Sequence, residues 1–211
     1  MRNTIMTGIL LSGLAVTPLV AQSSSDEVAQ LKQRVDQLEK QVQEISQVLE
    51  PLKAQQAADA RRRALRAKFE ERMARDREKY SPDQLQEAEN LMRTADRQWG
   101  SAEANESLQG LIKKFPESNR AGCAMLYVAQ GSKDAERTKV LRDCIEKFGD
   151  CFYGDGVQVG AFARFLLADD YRRNGEAEKA VALYAEIRTR YADAIDHNGK
   201  LLVDSIKTDS Q

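Results

Sequence analysis

A narrow apolar seam near the N-terminus most constrains how this chain folds. Its residues recur at alternating steps of three and four over just under four heptads, the a/d pattern of a left-handed coiled coil. One helix cannot bury so narrow a stripe against itself. Residues 24–53 are therefore predicted to be a coiled-coil helix that pairs with the same helix of another copy, which makes the protein an oligomer. The eight seam positions are Val28, Leu31, Val35, Leu38, Val42, Ile45, Leu49 and Leu52.

Charged residues beside the seam predict how the helices pair. Glu27 at position g faces Lys32 at position e of a parallel partner, and in the next heptad Arg34 faces Glu39. Both pairs attract, so parallel helices are expected. β-Branched residues at most a positions favour a dimer, whereas Ile45 at a d position leaves a trimer open.

The predicted coiled-coil helix has local signals at both ends. Ser24 followed by Glu27 fits a capping box, which marks a helix start. Pro51 lies in the last turn, where a proline is expected to end or kink a helix.

The first 21 residues indicate export. Arg2 precedes an apolar stretch that closes on the small residue Ala21, the layout of a secretory signal peptide cleaved after that residue. A retained membrane anchor is the alternative, but the apolar run is shorter than the roughly 20 residues that span a bilayer. We therefore expect a periplasmic or secreted protein with no stable membrane insertion after cleavage.

A strongly basic segment, residues 54–80, is predicted to be a connecting helix. Its apolar stripe, Leu65, Phe69 and Met73, repeats every four residues, which favours a helix with a solvated basic face. Contact with anionic lipid, cell-wall polymer or an acidic partner is the alternative. Binding to nucleic acid is not expected, because the formal net charge of the chain is −1 and no aromatic residues are interleaved to stack bases.

A new helix is predicted to begin after this segment. Ser81 has the character of an N-cap, Pro82 suits the first helical position, and Gln84 can bond back to the cap. We place the start of a C-terminal domain, residues 81–207, at this point. The last residues, 208–211, are expected to be a disordered tail.

Three segments of this domain share one pattern. In each, an apolar helix ends in an aromatic residue with an acidic residue two positions later, and an earlier helical pattern closes on a glycine. Helix, glycine turn and helix, repeated, predict an all-α hairpin solenoid. The aromatic residues are Phe115, Phe148 and Tyr191, the acids are Glu117, Asp150 and Asp193, and the glycines are Gly100, Gly131 and Gly175.

The last of the three units resembles a tetratricopeptide repeat. Small Ala168 and aromatic Tyr171 lie in its first helix, Gly175 at its turn, and Ala180 and Tyr184 in its second helix. In that family the small residues let paired helices approach closely, and the aromatic residues fill the gaps between hairpins. The resemblance implies a domain that binds partner proteins and carries no catalytic residues.

The order of export signal, coiled coil and helical hairpins resembles the periplasmic cell-division coordinators of the Tol-Pal envelope system. The stretch over residues 107–131 carries the local resemblance. It implies a trimeric adaptor that couples outer-membrane constriction to wall synthesis. The expected partners are further copies of the chain and envelope proteins or peptides.

Three cysteines, Cys123, Cys144 and Cys151, are candidates for a disulfide. An oxidising compartment favours pairing, and the odd number leaves at least one thiol free or bonded between chains. Cys144 can pair with Cys151 or with Cys123. Small buried apolar side chains are the alternative.

No chemistry-bearing constellation is evident. The single histidine, His197, has no metal-ligand companions and is predicted to be a polar surface residue. We expect no cofactor, no metal and no catalytic residue, and therefore a non-enzymatic scaffold. An exported chaperone-like or thiol-redox protein is the alternative.

Two further stretches have predicted shapes. The insertion at 151–160 is expected to be an enlarged turn with Phe152 or Tyr153 packed inside. Asp196 is expected to cap a last helix, with Leu201, Leu202 and Ile206 on its apolar face, that covers the open end of the solenoid.

Overall fold

The computed structural model describes the backbone of residues 19–206 and the side chains of residues 25–206. Over this range the chain forms eight α-helices and two isolated β-bridges, with no β-strand, which confirms the all-α fold. The export-signal prediction falls on residues of which 1–18 lie outside the described part. The predicted tail, 208–211, lies outside it as well.

The chain divides into two compact units, Met1–Ala54 and Gln55–Gln211. Helix α1 spans Leu19–Lys79, so the helix neither starts at Ser24 nor ends at Pro51, and the kink at Pro51 stays a prediction. Proline removes one backbone hydrogen bond, but the alanine- and glutamine-rich run that follows it favours helix strongly enough to continue. In the described part of the first unit, every side chain from residue 25 onward is exposed.

Three helical hairpins dominate the second unit. Consecutive helices pack against each other within and between hairpins, as a solenoid requires. The helices are α2 (Pro82–Arg97), α3 (Ala102–Lys114), α4 (Asn119–Gly131), α5 (Asp134–Lys147), α6 (Val159–Arg173), α7 (Ala177–Arg190) and the short α8 (Leu202–Ser205).

Serine caps begin the first three hairpin helices. The Gln84 backbone N–H donates to Ser81 Oγ at 3.3 Å, and the Ser81 N–H donates to Gln84 Oε1 at 2.9 Å, which confirms the predicted capping box. Ser101 and Ser118 accept hydrogen bonds in the same way at the starts of α3 and α4. Each cap satisfies a backbone donor that the helix leaves unpaired.

The turns inside the hairpins depend on residues with positive φ. Gly100 and Gly175 adopt φ of 80° and 78°, a conformation that glycine enters without steric cost. The second hairpin differs, because Gly131 is the last residue of α4 and Asp134, at φ 49°, makes the left-handed step instead.

One turn geometry closes all three hairpins. The helix-ending aromatic residues Phe115, Phe148 and Tyr191 are the C-caps of α3, α5 and α7, as predicted. The carbonyl oxygen of each accepts a hydrogen bond from the backbone N–H three residues later, at 2.9, 3.0 and 2.9 Å. The acid two positions after each aromatic residue therefore occupies the same place in three successive turns.

The insertion between the second and third hairpins is an inward-folded turn. Phe152 and Gln158 form an antiparallel bridge, and the Tyr153 N–H donates to the Val157 carbonyl at 2.9 Å. Phe152 and Tyr153 are both buried, which confirms the enlarged turn and its core role.

The last predicted helix is mostly absent. Asp196 Oδ1 accepts from the backbone N–H groups of Asn198 and Lys200, both at 2.9 Å, so it closes a tight turn rather than capping a helix. Gly199, at φ 80°, does not fit a helix, and only Leu202–Ser205 are helical. The apolar side chains still reach the core, since Leu202 and Ile206 are buried.

A backbone crossing fixes how the third hairpin joins the second. An added Cβ at Gly160, in the first turn of α6, would lie 2.6 Å from the Cα and 2.7 Å from the carbonyl oxygen of Gly149. Both of those atoms belong to the backbone of the α5–α6 connection and cannot rotate away. Glycine is therefore required at Gly160 for the close approach of the two segments.

We expect Gly160→Ala to lower the free energy of unfolding by about 1–3 kcal/mol, the usual cost of forcing a group into a packed site. Gly110→Ala is the matched control, because Gly110 lies inside α3 with no atom within 4 Å of an added Cβ. That control should gain about 0.5–1 kcal/mol from reduced chain entropy. Urea denaturation measures both, and equal effects would contradict the crossing.

Candidate functional site

The basic part of α1, residues 61–79, packs across the ends of the three hairpins, and we call it the clasp segment. Lys79 pairs with Glu117, Arg75 pairs with Asp150 at 2.8 Å, and Arg61 lies 3.9 Å from Asp193. The acidic partners are the same three acids that recur in the sequence repeat: Glu117, Asp150 and Asp193. One helix therefore provides a basic partner for the equivalent position of each hairpin.

A buried polar network lies at the centre of this contact. Arg72 donates through Nη1 to Asp76 and through Nη2 to the carbonyl oxygen of Glu117 at 2.6 Å. Asp76 Oδ2 in turn accepts from the Asn119 backbone N–H at 2.7 Å. Asp76 is only 2% exposed and Arg72 only 7%. Arg72 and Asp76 therefore do not belong to the predicted solvated face. Asp76 is paired with Arg72 and with the start of α4, and Arg72 also donates to the turn before α4, while its buried Nε has no hydrogen-bond partner among the described residues.

The side chain of Asn119 extends the network to the insertion. Its Nδ2 donates to the Phe152 carbonyl and its Oδ1 accepts from the Phe152 N–H, both at 2.7 Å. Leu65 of the clasp segment is buried beside Gly156 of the same insertion. The clasp segment is therefore part of the packing of the repeat domain, whereas its sequence predicts a connecting helix.

The three cysteines are free and buried in the structure, so neither of the two considered disulfides is formed. Burial raises the pKa of the Cys144 and Cys151 thiols to about 12, against the opposing effect of Arg72 on Cys151. Burial also raises the pKa of Cys123, whose Sγ lies 3.5 Å from the Phe152 carbonyl oxygen. Thiols with such pKa values are poor nucleophiles near neutral pH.

A row of rings crosses the repeat domain from its first hairpin to its third. Trp99 meets Tyr127 edge-to-face at 4.8 Å between ring centroids, and Tyr127 stacks on Tyr153 at 6.0 Å. His197 continues the row, at 4.9 Å from Tyr153 and 5.5 Å from Phe162. Tyr153 is buried and Tyr127 and Phe162 are half-buried, whereas His197 is exposed and Trp99, at one end of the row, is 54% exposed.

The exposed end of this row lines a groove of about 810 Å³. The α2–α3 turn and α3 form one wall, and the end of α4 with the start of α5 forms the other. Among the described side chains of the repeat domain, only Trp99 and Val181 are large, apolar and exposed. The sequence does not predict Trp99 as a functional residue by motif, although a lone tryptophan directly before the turn glycine Gly100 is a usable signal.

An ion pair holds the C-terminal turn in this ring row. His197 Nδ1 lies 2.8 Å from Asp155 Oδ2, and this contact raises the pKa of the imidazole against the opposing effect of burial. Burial raises the pKa of Asp155, but hydrogen bonds from His197 and the Val157 N–H outweigh it and leave that pKa below its usual value. His197 is thus partly exposed but has a specific structural partner.

The predicted oligomerisation residues are all exposed in the first unit. The exposed fraction ranges from 42% for Leu49 to 63% for Leu31, which is high for a continuous row of aliphatic side chains. Seam and groove are thus two separate apolar surfaces of the chain.

Neither a metal site nor a membrane span is found in the described part of the chain. No group of three or more His, Cys, Asp or Glu side chains among these residues is arranged to hold a metal ion. No helix within residues 19–206 is long and apolar enough to cross a bilayer.

Comparison with known protein families explains the last hairpin. Residues 162–194 match the family model described as tetratricopeptide repeat. This chain contains a tetratricopeptide repeat. The structure places Ala168, Tyr171, Ala180 and Tyr184 in its buried interior and Gly175 at its turn. Neither the curated proteins nor the solved structures gave a match to the chain.

The match supports a coarse functional statement. Tetratricopeptide repeats are typically non-catalytic modules that bind other proteins, and stacked hairpins present extended surfaces for this purpose. The first two hairpins extend the same architecture beyond the matched residues. Protein-protein interaction is therefore the function class that the repeat domain suggests.

We expect Asp76→Ala to lower the free energy of unfolding by about 3–5 kcal/mol, because it leaves the buried Arg72 cation without its carboxylate. Glu87→Ala is the matched control, since Glu87 pairs with Lys114 on the surface. An exposed pair typically contributes at most about 1 kcal/mol. Urea denaturation of both variants tests the difference, and similar losses would show that the network is not a determinant of stability.

We expect the stability contributed by the His197–Asp155 pair to depend on pH with a defined sign. Because folding raises the pKa of His197, the stabilisation from this residue is fully present below the pKa of an unfolded histidine, about 6.5. It is lost as pH rises through the pKa of His197 in the folded protein. The lowered Asp155 pKa gives stability that is present above about pH 4 and is lost on acidification through its folded pKa.

The stability difference between wild type and His197→Gln should therefore be largest between about pH 4 and 6.5. Denaturant titrations across this range measure it. NMR titration of Asp155→Asn is the control, because removing the carboxylate should lower the His197 pKa. A stability difference that does not change with pH would contradict the pair.

Proposed function

We propose that this protein is a non-enzymatic scaffold of the cell envelope, which self-associates through its N-terminal seam and binds partner proteins through its helical repeats. One observation carries this proposal: a tetratricopeptide-containing domain follows, in the same chain, a helix with eight exposed apolar side chains at heptad spacing. Joining a binding domain to a self-associating helix multiplies the number of binding surfaces in one particle.

Self-association is supported by the energetics of the seam. Fully burying a Val, Leu or Ile side chain is worth about 1.5–3 kcal/mol, and eight such residues now face solvent. The flanking pairs Glu27 with Lys32 and Arg34 with Glu39 favour parallel strands. In a parallel dimer or trimer, the repeat domains of all copies follow the same end of the coiled coil.

Parallel presentation has a functional consequence. A partner with several binding segments, or an array of partners, meets several repeat domains at high effective concentration. Weak individual sites then give tight overall binding. This supports an adaptor that holds envelope proteins together rather than a catalyst.

The envelope assignment rests on the sequence of the first 21 residues, which has the layout of a cleaved export signal. The same order of export signal, coiled coil and repeats is what resembles the Tol-Pal cell-division coordinators. We propose a role in envelope or division processes on that basis. A thiol-redox function is less well supported, because all three thiols are buried with raised pKa values.

We expect the double variant Leu38→Glu/Val42→Glu to be monomeric at micromolar concentration, because it places charge in the a/d seam. Gln37→Glu/Gln43→Glu is the matched control: it adds the same charge beside the seam, at positions that do not face the partner. Light scattering coupled to gel filtration measures the mass of each. A monomeric wild type, or equal dissociation of both variants, would refute the coiled coil.

The same variants test the scaffold. Tagged protein is cross-linked in cells that export it and is recovered from the envelope fraction. The mass of the recovered chain should correspond to a protein that begins at Gln22, as cleavage after Ala21 requires. Wild type and the control variant should retain the same envelope proteins, and the monomeric variant should retain less of them. Equal retention by all three would argue against avidity as the working principle.

A further inference from the structure

The groove beside Trp99 has the composition of a binding site. An indole that is 54% exposed lines it and is in edge-to-face contact with the Tyr127 ring. The Tyr127 ring is half-buried and stacks on Tyr153 at 6.0 Å between ring centroids, which holds the supporting ring in place. A half-exposed tryptophan that lines a concave surface is typical of the residues that dominate protein interfaces.

Side-chain amides line the wall opposite α4. Asn105 and Gln109 lie four residues apart on α3, so they share one face and are separated by about 6 Å along the helix axis. An extended peptide repeats every two residues, or about 6.7 Å. Two amides at this spacing can therefore pair with the main chain of alternate residues of one extended segment. Each amide both donates and accepts, as a peptide backbone requires.

Negative charge on the α5 side of the groove favours a partner segment of opposite charge. Asp134 and Glu136, at the start of α5, are exposed and line the groove together with a single cation, Lys133. Neither carboxylate forms an ion pair with any described residue. This excess of acid favours a cationic side chain in the bound segment.

We propose that this groove binds an extended peptide segment of a partner protein, with an apolar side chain on Trp99 and a Lys or Arg side chain toward Asp134 and Glu136. This inference rests on the proposed scaffold function and identifies where the repeat domain binds. The bound main chain runs along Asn105 and Gln109. The groove lies between the first two hairpins, outside the residues that match the tetratricopeptide model.

The single tryptophan of the chain makes the test direct, because all indole fluorescence reports on this groove. The probes are end-capped ten-residue peptides with a central Phe or Leu and a Lys or Arg two positions later. Titration into the full protein should give a saturable shift of the emission to shorter wavelength. Peptides with Glu in place of the base should bind at least about tenfold more weakly, since like charges then meet.

Variants distinguish binding in the groove from non-specific binding of the peptide. Binding is followed by the fluorescence anisotropy of labelled peptide. Trp99→Ala should weaken binding about thirtyfold, the effect of truncating a hot spot worth about 2 kcal/mol. Val181→Ala, at the other exposed apolar side chain of the domain, should have no effect. Asp134→Asn/Glu136→Gln should weaken binding about threefold to tenfold and reduce its salt dependence. Asn at position 134 tolerates the left-handed backbone there.

Three results would overturn the assignment. No saturable peptide signal is the first, and equal loss in Trp99→Ala and Val181→Ala is the second. The third is saturable binding of an uncharged N-acetylglucosamine oligosaccharide with no response to any peptide. Circular dichroism of each variant establishes that its fold is retained.

Capture from cells distinguishes a failure of the groove from a failure of the scaffold. Envelope proteins retained by wild type but lost from Trp99→Ala would support the groove as the docking site. Partners retained equally by both would overturn the groove and leave the scaffold function standing. No partner retained by wild type would count against both.

Discussion

The buried polar network in which Asp76 pairs with Arg72 and accepts from Asn119 is the constraint on which the repeat domain depends. A guanidinium and a carboxylate leave water together, which is tolerated only because each is hydrogen-bonded: Asp76 to the start of α4 and Arg72 to the turn before it. Asn119 then fastens the insertion that precedes the third hairpin. One helix outside the repeats thereby fixes the positions of two inter-hairpin connections.

Around this centre, repetition in the hairpins is matched by repetition of charge. The closing turns place Glu117, Asp150 and Asp193 at equivalent positions, and the clasp segment carries a base for each of them. These outer pairs are largely exposed and individually weak. Their role is to set which part of the helix meets which turn, while the buried network supplies the stability. Part of the basic excess of this segment thus serves intramolecular packing, through Arg61, Arg72, Arg75 and Lys79.

In the described part of the chain, the seam and the groove suit different tasks. The seam is long, regular and aliphatic, which fits a second copy of the same helix. The groove beside Trp99 is short and mixed, with a ring, amides and carboxylates, which fits a segment of another protein. A scaffold needs both kinds of surface, one to multiply copies and one to select partners. No residue of either surface is used by the buried network that holds the domain together.

The sequence by itself determined the elements that depend on local chemistry. The Ser81 cap, the glycine turns at Gly100 and Gly175, the aromatic helix ends and the all-α class were predictable, because capping, left-handed φ and apolar periodicity act within a few residues. The last helix was predicted wrongly, because the tight turn closed by Asp196 replaces the start of that helix. Only the tertiary structure decided that Arg72 and Asp76 are buried and that Trp99 is exposed. Burial depends on which distant segments meet, and a side chain's own neighbours in the chain do not encode that.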